Sequence, residues 1–217
     1  MSDVFREINE EVRREKLLKL WERYQNYIVT GMILLVLLIA GWRLYQWWEA
    51  KKAAEVGAAF NAAMTLSTEG KRAEAETAFA KIAESNAAGY RDLARLQAAA
   101  ELAQRDPKAA VEAYDVIAAD QQTPQTMRDL AAVRAGALLA DSEPYATMLQ
   151  RLEPLTAADR TYRNVARELL TLSAWRAGDA TAARKWADMI TGDAQATPNL
   201  RRRIEMLLAL TAANAKS

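Results

Sequence analysis

The sequence predicts an all-α protein: one N-terminal transmembrane helix, then an α-solenoid of about four helix pairs and a C-terminal capping helix. Three observations carry that expectation. A single uncharged run interrupts the charged N-terminal region. The rest is alanine-rich, with only eight Gly and five Pro in 217 residues, a composition that favours helix over sheet. Apolar and charged landmarks then recur about every 35 residues, a period that marks stacked helix pairs.

Residues 1–23 form a charged tail. A helix through it puts Val4, Phe5, Ile8 and Val12 on one face, with Leu17, Leu18 and Trp21 closer to the bilayer. Such a helix suits the membrane surface, and contact with a cytosolic partner is the alternative.

Residues 24–42, from Tyr24 to Trp42, carry no charge. As a helix this run spans about 28 Å, against a hydrocarbon core of about 30 Å. Its Ile, Val and Leu residues favour insertion by roughly 3–5 kcal/mol in total. Trp21, Tyr24 and Tyr27 precede the apolar centre, and Trp42, Tyr45, Trp47 and Trp48 follow it. These rings, with Arg43 reaching outward, are the expected anchors at the two interfaces. A cleavable signal would need a short basic start and a small-residue cleavage site, so the span is expected to be retained. Six Lys/Arg (Arg6, Arg13, Arg14, Lys16, Lys19, Arg23) lie before the run and three (Arg43, Lys51, Lys52) in residues 43–62. That asymmetry puts the N-terminus in the cytoplasm and residues 43–217 outside it. No Gly/Ser or Pro-rich linker follows Trp48, so the repeats should stay near the membrane surface.

The repeat shows in three pentapeptides: Tyr90-Arg91-Asp92-Leu93-Ala94, Met127-Arg128-Asp129-Leu130-Ala131 and Tyr162-Arg163-Asn164-Val165-Ala166. A second series is Phe79, Tyr114 and Trp186, with Leu149 near the missing member and Ala75, Ala110 and Ala182 four residues ahead of the three aromatics. Two helices per period is a tetratricopeptide-like arrangement, in which small residues allow close approach and the aromatic fills the gap. The expected pairs are 50–68 with 71–85, 88–104 with 107–119, 124–140 with 143–153 and 160–177 with 179–191, capped by 198–214. All five prolines fall at junctions: Asp106-Pro107, Thr123-Pro124, Glu143-Pro144, Glu153-Pro154 and Thr197-Pro198, where Asp or Thr before Pro reads as N-cap and then first helical position. Gly70 and Gly178 read as helix stops. Arg201, Arg202 and Arg203 suit a solvated cap. Arg91, Arg128 and Arg163 are candidate partner-binding residues if they project into a groove; inter-repeat ion pairing is the other reading of the same residues.

Chemistry is sparse. The chain has no Cys and no His, which removes thiolate nucleophiles, imidazole bases and the usual zinc ligands. No nucleophile elbow, phosphate loop or glycine-rich dinucleotide turn is present, so no catalytic, metal or cofactor site is expected. A net charge of +1 gives no long-range pull on nucleic acid.

The order Leu20-Trp21, Tyr24, Ile28, Gly31, then Gly41-Trp42-Arg43-Leu44-Tyr45-Gln46-Trp47 ahead of an alanine-rich helical repeat domain resembles the YfgM-like ancillary subunits of the bacterial Sec translocon, in their alphaproteobacterial, tetratricopeptide repeat-like form. The resemblance implies an inner-membrane protein with cytoplasmic N-terminus and periplasmic repeats. It implies association with the SecYEG channel and a membrane-anchored periplasmic chaperone, possible contact with unfolded secretory chains, no cofactor and no catalysis. Scaffolds for cell division or cytochrome maturation also join one anchor to such repeats and are the alternative. The tetratricopeptide Trp, Leu-Gly and Tyr pattern is mostly missing, so groove residues do not carry over from peptide-binding relatives.

Overall fold

The computed structural model describes residues 3–85 and 87–214; side chains before Trp21, at 22, 28 and 88, and from 210 onward lie outside the description. The face expected of Val4, Phe5, Ile8 and Val12 is among those side chains. Nine helices are described: α1 (Asp3–Thr68), α2 (Arg72–Ala83), α3 (Ala88–Leu102), α4 (Pro107–Ala119), α5 (Gln125–Leu139), α6 (Tyr145–Leu152), α7 (Arg163–Arg176), α8 (Ala180–Thr191) and α9 (Pro198–Asn214). A 3-10 turn, Glu153–Thr156, follows α6. No strand occurs among the described residues. The chain divides inside α1 into two compact units, Met1–Glu55 and Val56–Ser217.

In the first unit the centre of α1, residues 29–42, carries no charge and exposes apolar side chains on every side, with exposures of 48% at Val29, 57% at Leu35 and 71% at Leu38. A helix with no polar face belongs in a buried or membrane setting. By length and composition it is apolar enough to cross a membrane, and none of that window is buried among the described residues.

The second unit is a stack. Each helix from α2 to α8 packs on the next in sequence, and α5 also meets α7. Its core is a series of clusters: Ala63, Ala75, Phe79, Ile82 and Ala94; Leu96, Tyr114, Ile117, Ala131 and Ala135; Val133, Met148, Leu152, Leu170 and Trp186; and Ala187, Ile190, Ala196, Leu200 and Ile204. Phe79, Tyr114 and Trp186 are buried as their spacing predicts, over Ala75, Ala110 and Ala183. The missing member is Met148, fully buried, with Leu149 half-buried at its side. Ala183, three residues before Trp186, takes the buried place expected of Ala182, which is half-buried.

Helix ends follow the sequence closely. Gly70 (φ +80°) and Gly178 (φ +77°) occupy the left-handed region, where glycine escapes the Cβ penalty. Beyond them the N–H of Lys71 reaches the Leu66 carbonyl and that of Asp179 the Ala174 carbonyl, closing two Schellman motifs. Asp106 caps α4 by accepting from the Ala109 N–H at 3.1 Å, with Pro107 in the first turn. Pro124 and Pro144 themselves occupy the cap positions, one residue before the helices they were expected to open. Glu153-Pro154, at the expected end of the helix 143–153, begins the 3-10 turn.

Polar ties span one repeat. The buried Glu101 accepts from Ser67 and, at 3.2 Å, from Arg72; Arg151 reaches back to Asp115; and Arg203 reaches Glu168 at 2.7 Å. Arg201 donates to the Asp193 carbonyl at 2.7 Å, so two of the three arginines expected on a solvated cap tie α9 to the stack.

Gly136, midway along α5, lies against Leu152 of α6. A Cβ there would lie 2.8 Å from Leu152 Cδ2 and 3.2 Å from Cδ1, and Leu152 is fully buried. Gly136→Ala gains about 1 kcal/mol of helix propensity but overpacks this contact by about 1–3 kcal/mol. The expected net loss, about 1 kcal/mol, should appear as a lower thermal midpoint by circular dichroism of the detergent-solubilised chain.

Candidate functional site: the groove between α3 and α5

The repeated pentapeptide opens α3, α5 and α7, and its members divide their work. The fifth residues, Ala94, Ala131 and Ala166, are completely buried and let helices approach. Third-position Asp92 and Asp129 are 3% exposed. Asp92 is met by Arg91 Nε at 3.2 Å; Asp129 accepts from Gln125 at 2.6 Å and from Arg160, one repeat on, at 3.2 Å. Buried carboxylates need such partners.

The fourth residues face outward. Leu93 is 41% and Val165 40% exposed, and Leu130 is half-buried. Leu93 and Leu130 wall a cleft of about 130 Å³ between α3 and α5, completed by Leu96, Gln97, Ala100, Tyr114 and Arg134. Tyr114 is 3% exposed and lines the cleft. Burial raises its phenol pKa, partly offset by Arg134, so the hydroxyl stays protonated and can donate. Further along α7, Leu172 (40%) and Trp175 (38%) are also exposed, Leu172 two turns beyond Val165 on the same face. A second cleft of about 330 Å³ lies among α2, α3 and α4, walled by alanines with Leu102, Val116 and Ile117. Its charged rim is already paired, Glu76 with Arg105 and Arg95 with Asp120.

The second-position arginines stand at the helix starts. Arg91 is tied to Asp92, and Arg128 donates to Gln121 at 2.6 Å and also to Gln125. Arg163 grips Asp193 through Nε at 2.6 Å and Nη2 at 3.0 Å, with Gln195 at 2.8 Å. The anchors expected of α1 are all exposed: Trp21, Tyr24, Tyr27, Trp42, Arg43, Tyr45, Trp47 and Trp48. Lys51 lies 5.7 Å over the Trp47 ring and Lys52 3.4 Å over that of Trp48.

Sequence reading missed a second repeated device. Asp120 accepts from Arg95 at 2.6 Å and from the Gln122 N–H at 3.0 Å. Asp193 accepts from Arg163, from Arg167 at 3.0 Å and from the Gln195 N–H at 2.8 Å. Each aspartate closes the loop before a Thr-Pro junction. Arg95 and the Gln122 N–H lower the Asp120 pKa; Arg163 and the Gln195 N–H lower that of Asp193 more strongly. The signal was available in Arg91/Arg95 and Arg163/Arg167, but Ala132 replaces the arginine in the repeat between them.

A carboxylate depressed in the folded chain stabilises it above the unfolded pKa, about 3.9. That contribution is lost as pH falls from there through the folded value. Asp193→Asn is therefore expected to flatten the acid side of the stability profile below about pH 4, read from urea midpoints in acidic buffers. A parallel downward shift at every pH would mean that its ionisation is not what couples the loop to stability.

The tetratricopeptide repeat-like domain family matches residues 19–206. No curated protein and no solved structure matches the chain.

Proposed function

The chain belongs to the tetratricopeptide repeat-like domain family, and from that premise we propose that it is a membrane-anchored adaptor or chaperone-like subunit of the bacterial Sec translocon. Repeat domains of this kind are typically non-catalytic and bind other proteins. Among the described residues no group of three or more acidic side chains is gathered as a metal site would require. The observation that carries the reading is the joining, in one chain, of a helix long and apolar enough to cross a membrane and an open, apolar-walled groove between repeat helices.

On this reading residues 1–23 are cytoplasmic, 24–42 span the inner membrane with their aromatic and Arg43 anchors at its two faces, and 43–217 are periplasmic. Supporting the orientation is the six-to-three basic asymmetry about the span. The SecYEG channel and a membrane-anchored periplasmic chaperone are the partners implied by the resemblance, and emerging secretory chains are the clients. Arg91 and Arg128, whose guanidinium groups keep donors beyond their local ties, extend the contact surface toward the helix starts; Arg163 does so less, being held by Asp193 and Gln195. A short tether raises the effective concentration of the groove near the channel, so each contact can be weak.

Two measurements test this together. A periplasm-active reporter fused after Ser217 should be active and an N-terminal fusion silent. Immunoprecipitation of the intact protein in mild detergent should recover Sec-channel subunits. Correct orientation without those subunits would leave a membrane-anchored scaffold of another envelope complex, whereas the reverse orientation would discard the translocon reading.

A further inference from the structure

The α3–α5 cleft contains two hydrogen-bond donors that the fold leaves unused. Arg134 has no hydrogen-bond or ion-pair partner among the described residues. Every other arginine between residues 88 and 176 donates to an acceptor. The Tyr114 hydroxyl likewise has no described hydrogen-bond partner, although the residue is 3% exposed. The oxygen is not sealed off but opens on the cleft, where it can donate to whatever enters. Both groups line the same cleft, between the leucines of two successive repeats.

We propose that this cleft binds an acidic side chain within an extended polypeptide, its carboxylate taken by Arg134 and Tyr114 and its aliphatic neighbours by Leu93 and Leu130. This deepens the adaptor reading above and rests on it, since it names the chemistry of what the groove takes. Charge chooses the occupant: a guanidinium and a protonated phenol offer donors to an acceptor, and the cation favours an anionic one. Size agrees, because about 130 Å³ admits a side chain and falls short of the roughly 300–1,000 Å³ usual for small-molecule pockets. The open apolar positions at Val165, Leu172 and Trp175 suit a segment that continues past the cleft, so the acid is internal and not a chain end.

The test is fluorescence anisotropy with the full chain in detergent and short, end-blocked, leucine-containing peptides carrying either one central glutamate or glutamine in its place. The glutamate peptide should bind about tenfold tighter, as a charge-assisted hydrogen bond implies. Arg134→Gln should abolish that preference while leaving the thermal midpoint unchanged, since Arg134 is exposed and has no described partner in the fold. Tyr114→Phe, which keeps the buried ring, should reduce it. Equal binding of the two peptides, or a preference that survives Arg134→Gln, would overturn the proposal while leaving the adaptor reading standing. So would a preference confined to a peptide with a free C-terminal carboxylate. Failure of the wild-type chain to bind either peptide would remove both.

Discussion

Replacing Trp186 with alanine is expected to lower stability by about 3–5 kcal/mol, the range for deleting a large buried aromatic. Its indole is 2% exposed in the cluster that also holds Met148 and Leu170. Nε1–H donates to the Tyr145 hydroxyl at 2.9 Å. The substitution therefore opens a cavity between α6 and α8 and strands a hydroxyl in the same step. Tyr114→Ala should fall in the same range of about 3–5 kcal/mol, because that ring fills the equivalent gap one cluster earlier. Trp175, 38% exposed on α7, is the control and should cost no more than about 1 kcal/mol. Urea unfolding of the intact protein, followed by circular dichroism, separates them. Unchanged midpoints for both Trp186→Ala and Tyr114→Ala would show that the packing register is wrong.

Arg167→Met should be nearly as damaging, for a different reason. The guanidinium, 6% exposed, donates to the Thr156 carbonyl at 2.7 Å, the Met189 carbonyl at 3.2 Å, Asn164 at 3.1 Å and Asp193 at 3.0 Å. One side chain thus joins the 3-10 turn, α7, α8 and the loop that leads to α9. Methionine fills much of the volume but leaves those acceptors unsatisfied. Removing one partner of a buried ionic network costs about 3–5 kcal/mol, and the lower end applies because Asp193 retains Arg163. Lysine restores the charge without the planar fork and should recover only part of the loss. Arg203→Met breaks a pair whose arginine is 58% exposed and should cost at most about 1 kcal/mol. Comparable losses for Arg167→Met and Arg203→Met would place the stabilisation somewhere other than this network.

The fold was legible because its determinants are local. Period, proline junctions and the two glycines mark helix ends through backbone chemistry that acts within a few residues, and those marks placed α2 to α9, whereas the helix expected at 50–68 is the end of the continuous α1. Met148 was hidden because the periodic landmark was aromatic, and methionine fills the same space without announcing it. The 3-10 turn at the Glu153-Pro154 junction was hidden for a related reason: proline suits the first turn of either helix type, and the turn shows only in the packing of Leu155 and Thr156 into the interior.

The groove was half legible. The pentapeptide drew attention to its arginines, but a residue at a helix start meets the loops at that end of the stack, so Arg163 is held by Asp193 in the loop after α8. The leucines two positions later are the ones that open outward. Arg134 belongs to no repeated motif, and its lack of an ion-pair partner among the described residues is something that only the three-dimensional arrangement reveals.

The interior made of serial clusters bears on how the chain acquires its structure in time. Each cluster joins helices close in sequence, so little loop-closure entropy separates one helix from the partner that buries it. A chain supplied from its N-terminus can bury each repeat as soon as the next helix arrives, without waiting for a distant segment to return. Folding can therefore keep step with delivery. The same arrangement ties the burial of α9 to the helix before it: Leu200 and Ile204 close against Ala187, Ile190 and Ala196, with Leu208 beside them, so α9 cannot be buried before α8 is in place.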